Sequence, residues 1–516
     1  MEKATKRIVV VGGGSAGWIT AGLLAAEHGS AGPDGVKVTL LESPNVPIIG
    51  VGEGTWPSMR ATLQKLGLSE IEFLRECDAS FKQGTEFLGW TGGTGPKRYI
   101  HPFSLPSEFA SLNLASYWLA HPGSQDFADF VTPQAQVVHA GLAPKQCQTP
   151  EFGFNVNYGY HFDAGKFALF LQRKVTESLG VEHVRGHLEH IQSAADGDIS
   201  GLKLSDGREL SGDLFIDCTG QRSLLLGQHF NVGLEPLAQT LFNNRALAVQ
   251  VPYADEHAAI PSTTRATAQQ AGWVWDIALQ SRRGVGYVHS TAHQDLDSAE
   301  KTLRAYLAET SPGVDTSQLT PRCIDFEPGY RQQFWVRNCV AVGLSAGFVE
   351  PLEASALALV EQSAGIISGH LPRNRQMMDI VARRFNEKMR YHWQAILEFL
   401  KLHYVLSQRE ECYWRDNTQA ENCPDALLEK LQLWQQQPPW HEDAPRIDEL
   451  FPSASYQYVL YGMGFVPEQS TVARSSFSRD QDKARAVVNM NYERATKLRQ
   501  GLPSNRELLN ALCATN

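Results

Sequence analysis

Long apolar runs are missing from this 516-residue chain. Residues 8–26, behind Lys3, Lys6 and Arg7, superficially resemble an export signal, but Gly12, Gly13, Gly14 and Gly17 break the run too early for a stable apolar helix. No membrane span is expected. Paired cysteines are missing as well: Cys77, Cys147, Cys218, Cys323, Cys339, Cys412, Cys423 and Cys513 are scattered, with no CxxC pair and no histidine at zinc-ligand spacing. They read as reduced thiols of a cytoplasmic protein, with neither a disulfide framework nor a metal site. Nor is there an excess of basic charge. The 46 Lys and Arg face 56 Asp and Glu, a net charge of −10 without any basic cluster, which argues against a nucleic-acid partner. Internal repeats and long low-complexity segments are also absent.

What remains is a large folded chain, long enough for two or three packed subdomains. Its 11 Trp and 23 Phe could line an aromatic cavity, although a core of this size uses most such rings anyway. Arg7–Val11 is a β-branched run that reads as a buried parallel strand. Glycines follow, then a helical pattern over 16–28 and a second strand over 36–42, a βαβ opening. Helical patterns recur at 58–66, 71–80 and 166–179, and β-like segments at 245–251 and 286–290. Residues 377–408 keep a 3.6-residue period for many turns, a long amphipathic helix or a broken pair. A Gln/Pro-rich stretch at 435–439 precedes shorter helical segments, so the chain reads as mostly helical beyond about 375.

Gly12-Gly13-Gly14-Ser15-Ala16-Gly17 fits GxGxxG between strand and helix, and Glu42 closes the next strand. In that motif Gly12 makes the tight turn, Gly14 lets a pyrophosphate approach the backbone, and Gly17 lets helix and strand pack. The helix N-terminus at Ser15 and Ala16 faces the phosphates, and Glu42 would bind a ribose hydroxyl pair. Two later segments resemble parts of large FAD-dependent monooxygenases and their relatives, which favours FAD over NAD. The strand and turn around Asp217 and Gly220 is one, and the late strand ending at Gly343 is the other. Many of those relatives follow that glycine with an aspartate that holds the ribityl chain; this chain has Leu344.

Four further segments, in order along nearly the whole chain, resemble the flavin-dependent tryptophan and indole halogenases. Ile48-Ile49-Gly50-Val51-Gly52-Glu53-Gly54-Thr55-Trp56-Pro57 is similar to the family's flavin-contacting loop, and Ala79-Ser80-Phe81-Lys82-Gln83-Gly84 to the segment that carries its lysine. Gly272-Trp273-Val274-Trp275-Asp276-Ile277-Ala278 resembles W-x-W-x-I-P, with Ala278 where proline is usual. Pro351-Leu352-Glu353-Ala354-Ser355-Ala356 resembles the family's P-L-E followed by small residues, commonly Ser-Thr-Gly.

The resemblance implies an α/β fold: a Rossmann-like FAD-binding core related to the aromatic hydroxylases, with an inserted β-sheet and a mostly helical C-terminal subdomain. Residues 1–375 would form the FAD-binding core with a substrate-facing sheet, and 376–516 the helical substrate side. It further implies that reduced FAD (FADH2), dioxygen and a halide ion, bromide or chloride, yield hypohalous acid, and that a separate NAD(P)H flavin reductase supplies the reduced flavin. Trp273 and Trp275 would wall the flavin off from the organic substrate. Lys82 would receive the oxidant, by hydrogen bond or as a haloamine, its pKa depressed by a partly apolar tunnel. Pro351 reads as the first residue of a helix, which places Glu353 in its first turn. The halide would sit on amides near Ser355 and Ala356, while Glu353 polarises the electrophile or takes the ring proton.

Tyr99-Ile100-His101-Pro102-Phe103 resembles the segment whose His and Phe sandwich the indole. The paired tyrosines that clamp free tryptophan in some members are absent from residues 438–451, so the expected substrate is an indole derivative other than free tryptophan. An aromatic monooxygenase would leave Lys82, the two Trp and Glu353 without a common purpose. A non-catalytic FAD-binding protein would be supported by loss of Lys82 or Glu353, and both are present.

Overall fold

A computed structural model describes residues 4–29, 35–46, 50, 52–121, 123, 125–467 and 475–514, without the side chains of 475–479. The chain divides into two compact units, each assembled from three segments. One comprises Met1–Asp78, Phe162–Ala238 and Phe326–Trp393; the other comprises Ala79–His161, Gln239–Asp325 and Gln394–Asn516. This partition differs from the single cut at 375/376, which follows where the sequence period changes and not where the elements pack.

The first unit is built on a six-stranded sheet in the order Trp335–Val336, Cys339–Ala341, Leu214–Asp217, Arg7–Val11, Lys37–Glu42, Glu182–Arg185. All neighbours are parallel except the first pair. Ile8, Val9, Val10 and Val11 are all buried, which is why this strand reads as a continuous apolar run without alternation. Helix Ser15–His28 is buried from Gly17 to Ala25 and packs against helices Ala164–Leu179 and Ser355–Gly369. Gly22 permits this approach, because a Cβ there would meet Leu66 Cδ2 at 2.7 Å and Val175 Cγ2 at 3.0 Å.

The second unit holds a seven-stranded sheet in the order Arg322–Asp325, Arg245–Pro252, Arg282–His289, Gly272–Ala278, Thr264–Gln269, Gly84–Leu88, Arg98–Pro102. Helix Leu296–Thr310 covers it through Leu303 and Leu307, packed on Leu247, Val249, Val274 and Val285. The short strand Ser80–Lys82 pairs antiparallel with residues 159–161. The helical pattern at 71–80 therefore ends early. The helix is Glu70–Glu76, Asp78 turns into the left-handed region at φ 53°, and Ser80 already belongs to a strand whose pairing lies far away in sequence. Helix Arg375–Val405 is the long helix expected at 377–408, unbroken. Among the described residues no helix is long and apolar enough to cross a membrane.

In the first unit, buried Glu361 on helix Ser355–Gly369 accepts hydrogen bonds from Ser58 Oγ at 2.7 Å and from Thr62 Oγ1. Burial pushes its carboxyl up from 4.5 to about 7, against the lowering effect of the two hydroxyls. The folded chain thus holds a proton that the unfolded chain has released at mid-range pH. That stabilisation is complete below the unfolded value and is lost as pH rises through about 7. Glu361→Gln should flatten the fall in unfolding free energy across this window by on the order of 3 kcal/mol. Urea unfolding of both proteins across the window measures it, and parallel profiles would contradict the assignment.

Candidate active site

The first unit presents a dinucleotide cradle. Gly12 has φ 122°, and a Cβ there would lie 2.1 Å from the Cys218 carbonyl oxygen; at Gly17 it would lie 1.9 Å from the Gly12 oxygen. At Gly14 a Cβ would meet nothing within 4 Å, so this glycine faces the space a pyrophosphate needs. As N-cap of helix Ser15–His28, Gly14 offers no side chain to cap the first-turn amides of Ser15 and Ala16. The Glu42 carboxylate lies across Gly13 and accepts from His183 Nε2 at 2.8 Å. Gly343, φ 74°, comes so close to Ala16 that a Cβ would sit 2.8 Å from the alanine methyl. A phosphate-accepting helix end, a carboxylate at the second strand's tip and a close turn beside them fit FAD. Gly52, φ 133°, is buried in the loop before Trp56; Ile48, Ile49 and Val51 of that loop lie outside the described residues.

Asp217, expected as a cofactor contact, is engaged by donors of the protein itself. The side chain is fully buried, and its oxygens accept from Thr219 N and Oγ1, Ser223 Oγ, Leu225 N, Leu226 N and Ser345 Oγ at 2.6–3.3 Å. With these donors on the carboxylate, Asp217 shapes the turns around the cradle.

Glu353 departs from the expected first helical turn. Helix Ser355–Gly369 begins two residues later, and Glu353 (φ 61°, ψ 7°) and Ala354 (φ 54°, ψ 41°) both stand in the left-handed region. For residues with a Cβ this costs about 1–2 kcal/mol each, which surrounding contacts must offset. Trp56 supplies one by donating from Nε1 to the Glu353 carbonyl at 2.7 Å. The kink keeps Glu353 buried and places buried Ser355 and exposed Ala356 at the start of the helix, where amides lack intrahelical acceptors.

The second unit carries the remaining residues. Lys82 is fully buried, and its Nζ lies 5.3 Å from the centroid of Phe103. Its strand is tied to the end of strand Gly272–Ala278: Ser80 Oγ donates to the Ala278 carbonyl at 2.5 Å, and Gln280 Nε2 to the Ala79 carbonyl at 2.6 Å. Gly159 opposes Lys82 in the register, and His161 opposes Ser80. Burial, and secondarily the Lys82 charge, hold the His161 imidazole well below its ordinary value, so the ring beside the lysine is neutral. His101 is buried, with Nε2 3.0 Å from Ser455 Oγ and its ring against Phe399 and Tyr458. Phe103, two residues on, is half-buried. Trp273 and Trp275 share one face of their strand, 6.4 Å apart and both buried. Trp273 packs on Trp90, while the Trp275 ring occupies the space over Gly286, where a Cβ would lie 2.0 Å from Cζ2.

The sequence model of tryptophan halogenase matches residues 7–478. The chain belongs to the tryptophan halogenase family. It is similar to a tryptophan halogenase from Shewanella frigidimarina, with 47% identity and a TM-score of 0.95 over 99% of this chain and 98% of that one. The tryptophan 7-halogenase RebH of Lentzea aerocolonigenes is 31% identical over 99% of each chain. BrvH, a flavin-dependent halogenase from Brevundimonas sp. BAL3, is also 31% identical, with a TM-score of 0.85 over 98% of this chain and 99% of that one. Membership makes the chain an enzyme of the flavin-dependent halogenases and establishes the α/β fold with its Rossmann-like parallel sheet and helical C-terminal region.

Several contacts in this halogenase carry no sequence signal. His161 sits in a four-residue strand without a motif, and Phe399, which meets the His101 ring and stacks on Phe451 at 3.8 Å, comes from a helix far from it in sequence. Residues 438–451, which lack the tyrosine pair, pack through Trp440 on Phe109, while Ile447 is fully exposed. The part assigned to Asp217 has a direct test. Asp217→Asn turns an NH2 group toward donors, so unfolding free energy should fall by about 3 kcal/mol, with FAD retention declining alongside it. Thermal unfolding and flavin fluorescence measure the two. A variant of unchanged stability that no longer retains FAD would make Asp217 a ligand after all.

Proposed function

We propose that this halogenase uses FADH2, dioxygen and bromide or chloride to halogenate an electron-rich arene, an indole derivative other than free tryptophan, in the cytoplasm. A separate NAD(P)H flavin reductase supplies FADH2. The observation that carries this reading is the fully buried Lys82 Nζ over the Phe103 ring, in the unit that also holds the aromatic group around His101.

Reduced FAD supplies, with dioxygen, the two-electron oxidant that turns halide into hypohalous acid. Gly12, Gly14, Ser15, Ala16, Gly17, Glu42, Gly52 and Gly343 are the residues proposed to hold it, and the Ser355 and Ala356 amides the ones proposed to hold the halide. Trp273 and Trp275 keep the arene away from the flavin. His101 and Phe103 offer flat faces that bind a flat ring and leave an edge for reaction. Lys82 Nζ donates to the oxygen of hypohalous acid. The ring π pair forms the carbon–halogen bond, the oxygen–halogen bond breaks, and the oxygen leaves as water with its electron pair and the lysine's proton. A haloamine on Lys82 would deliver the same electrophile. Neutral His161 supports either route, because it adds no second cation beside the lysine. The Glu353 carboxylate takes the proton from the ring carbon and restores aromaticity.

Free tryptophan is the second reading, favoured by the names of the relatives; against it, its ammonium and carboxylate must both be desolvated and paired, and residues 438–451 lack the tyrosine pair. The roles of the two side chains can be separated. Lys82→Ala should abolish halogenated product while FAD binding and the oxidation of reduced flavin continue. Glu353→Gln should lower turnover by about 10²–10⁴-fold with unchanged thermal stability. Product from Lys82→Ala, or a near-normal rate for Glu353→Gln, would defeat the respective role.

A further inference from the structure

Apart from all of these residues, the second unit brings together three side chains of different donor type. His293 follows strand Arg282–His289, and Cys412 and Asp416 lie one turn apart on helix Cys412–Asn417. His293 Nε2 is 3.0 Å from Asp416 Oδ2, Cys412 Sγ is 3.5 Å from the same oxygen, and the three potential ligand atoms lie within 4.8 Å of one another. Among the described residues this is the group of His, Cys and carboxylate side chains close enough together to hold one metal ion.

We propose that His293, Cys412 and Asp416 bind a divalent transition-metal ion of the zinc class, with a water at the fourth position. Bonds of about 2.0–2.3 Å to nitrogen, sulfur and oxygen require donors about 3.3–3.6 Å apart in a tetrahedron, and the separations of 3.0 and 3.5 Å from Asp416 Oδ2 are close to that spacing. The mixed set of imidazole, thiolate and carboxylate selects zinc or cobalt over magnesium and calcium, which prefer all-oxygen shells.

The imidazole is also supported as a ligand should be. Its Nδ1 lies 2.8 Å from the hydroxyl of Ser290, a buried side chain. With Nδ1–H donating to that hydroxyl, the Nε2 lone pair is left for the ion. Phe242 stacks on one side of the ring at 5.6 Å, and Tyr413 meets it edge-on at 5.4 Å, so its orientation is fixed. The helix carrying the other two ligands is held by Trp414 Nε1 donating to the Gln269 carbonyl at 2.8 Å, and by Lys401 Nζ donating to Asn417 Oδ1 at 2.8 Å. Cys412 is exposed, which lets an ion in. The ion would tie the segment after a sheet strand to a short helix, a stabilising clamp separate from catalysis.

The test uses the full chain, reduced with a phosphine and stripped with EDTA, titrated with Co²⁺ and then with Zn²⁺ as competitor. One Co²⁺ per chain should bind, with thiolate-to-cobalt charge-transfer absorption and tetrahedral d–d bands, and Zn²⁺ should displace it. Cys412→Ser should remove the charge-transfer absorption, and His293→Ala and Asp416→Asn should weaken binding at least tenfold. Ser290→Ala, which deletes no ligand, should weaken it about tenfold. Zn²⁺ should raise the unfolding midpoint of the wild type and not of Cys412→Ser, with halogenation unchanged in both. No charge-transfer band in the wild type, a band undiminished in Cys412→Ser and so arising from exposed Cys147 or Cys323, or an unchanged affinity in Ser290→Ala would overturn the proposal.

Discussion

A single buried carboxylate organises the cofactor side of this halogenase. Asp217 ends a central parallel strand, and its oxygens gather the donors of Thr219, Ser223, Leu225, Leu226 and Ser345. An uncompensated charge in that position would be strongly destabilising, so the turns that bring those donors have no freedom to drift. Gly220 and Gly343, both at positive φ, lie in those turns, and the second presses against Ala16 in the first turn of the dinucleotide-binding helix. The cradle's shape therefore depends on a group that need not touch the flavin.

The same logic of fixed backbone recurs at Glu353. Two consecutive residues with side chains are held in the left-handed region, and a tryptophan from the loop after Gly52 grips the carbonyl of the peptide that joins them. The arrangement separates two tasks that an unkinked helix would merge. The Glu353 carboxylate stays buried before the helix, and the helix's own first amides begin at Ser355. On the other unit Lys82 is positioned by the sheet, through Ser80 bonded to the Ala278 carbonyl and through its pairing with Gly159. That bond involves the backbone of Ala278, so the change from the usual proline leaves it available.

The sequence was most legible where a local rule has a strong physical cause. The glycines of the cradle, Glu42 at the second strand's tip and the two tryptophans on one strand face could all be read from spacing or from resemblance, because each occupies a fixed place in a strand, a turn or a helix start that the local sequence pattern marks. The division into units was not legible, since each is stitched from three separated segments. The Trp56 bond to Glu353 spans 297 positions, and the left-handed pair at 353–354 violates the very propensity that suggested a helix starting at Pro351. His293, Cys412 and Asp416 escaped for the same reason: metal-site spacing rules describe ligands on one hairpin or helix, and these come from two distant segments.

The central claim is that the chemistry of a tryptophan halogenase is applied here to an indole that need not carry an amino-acid head group. Mass spectrometry of one reaction mixture tests it most directly, with enzyme, flavin reductase, FAD and NADH, equimolar indole and free tryptophan, and either bromide or chloride. A ring held without an ammonium and carboxylate clamp should react where it is intrinsically most reactive, and bromide is oxidised more easily than chloride. The account predicts brominated indole, substituted at C3, in excess over chlorinated indole, with little or no halogenated tryptophan. Efficient chlorination of tryptophan at a single carbon of its benzo ring would contradict it.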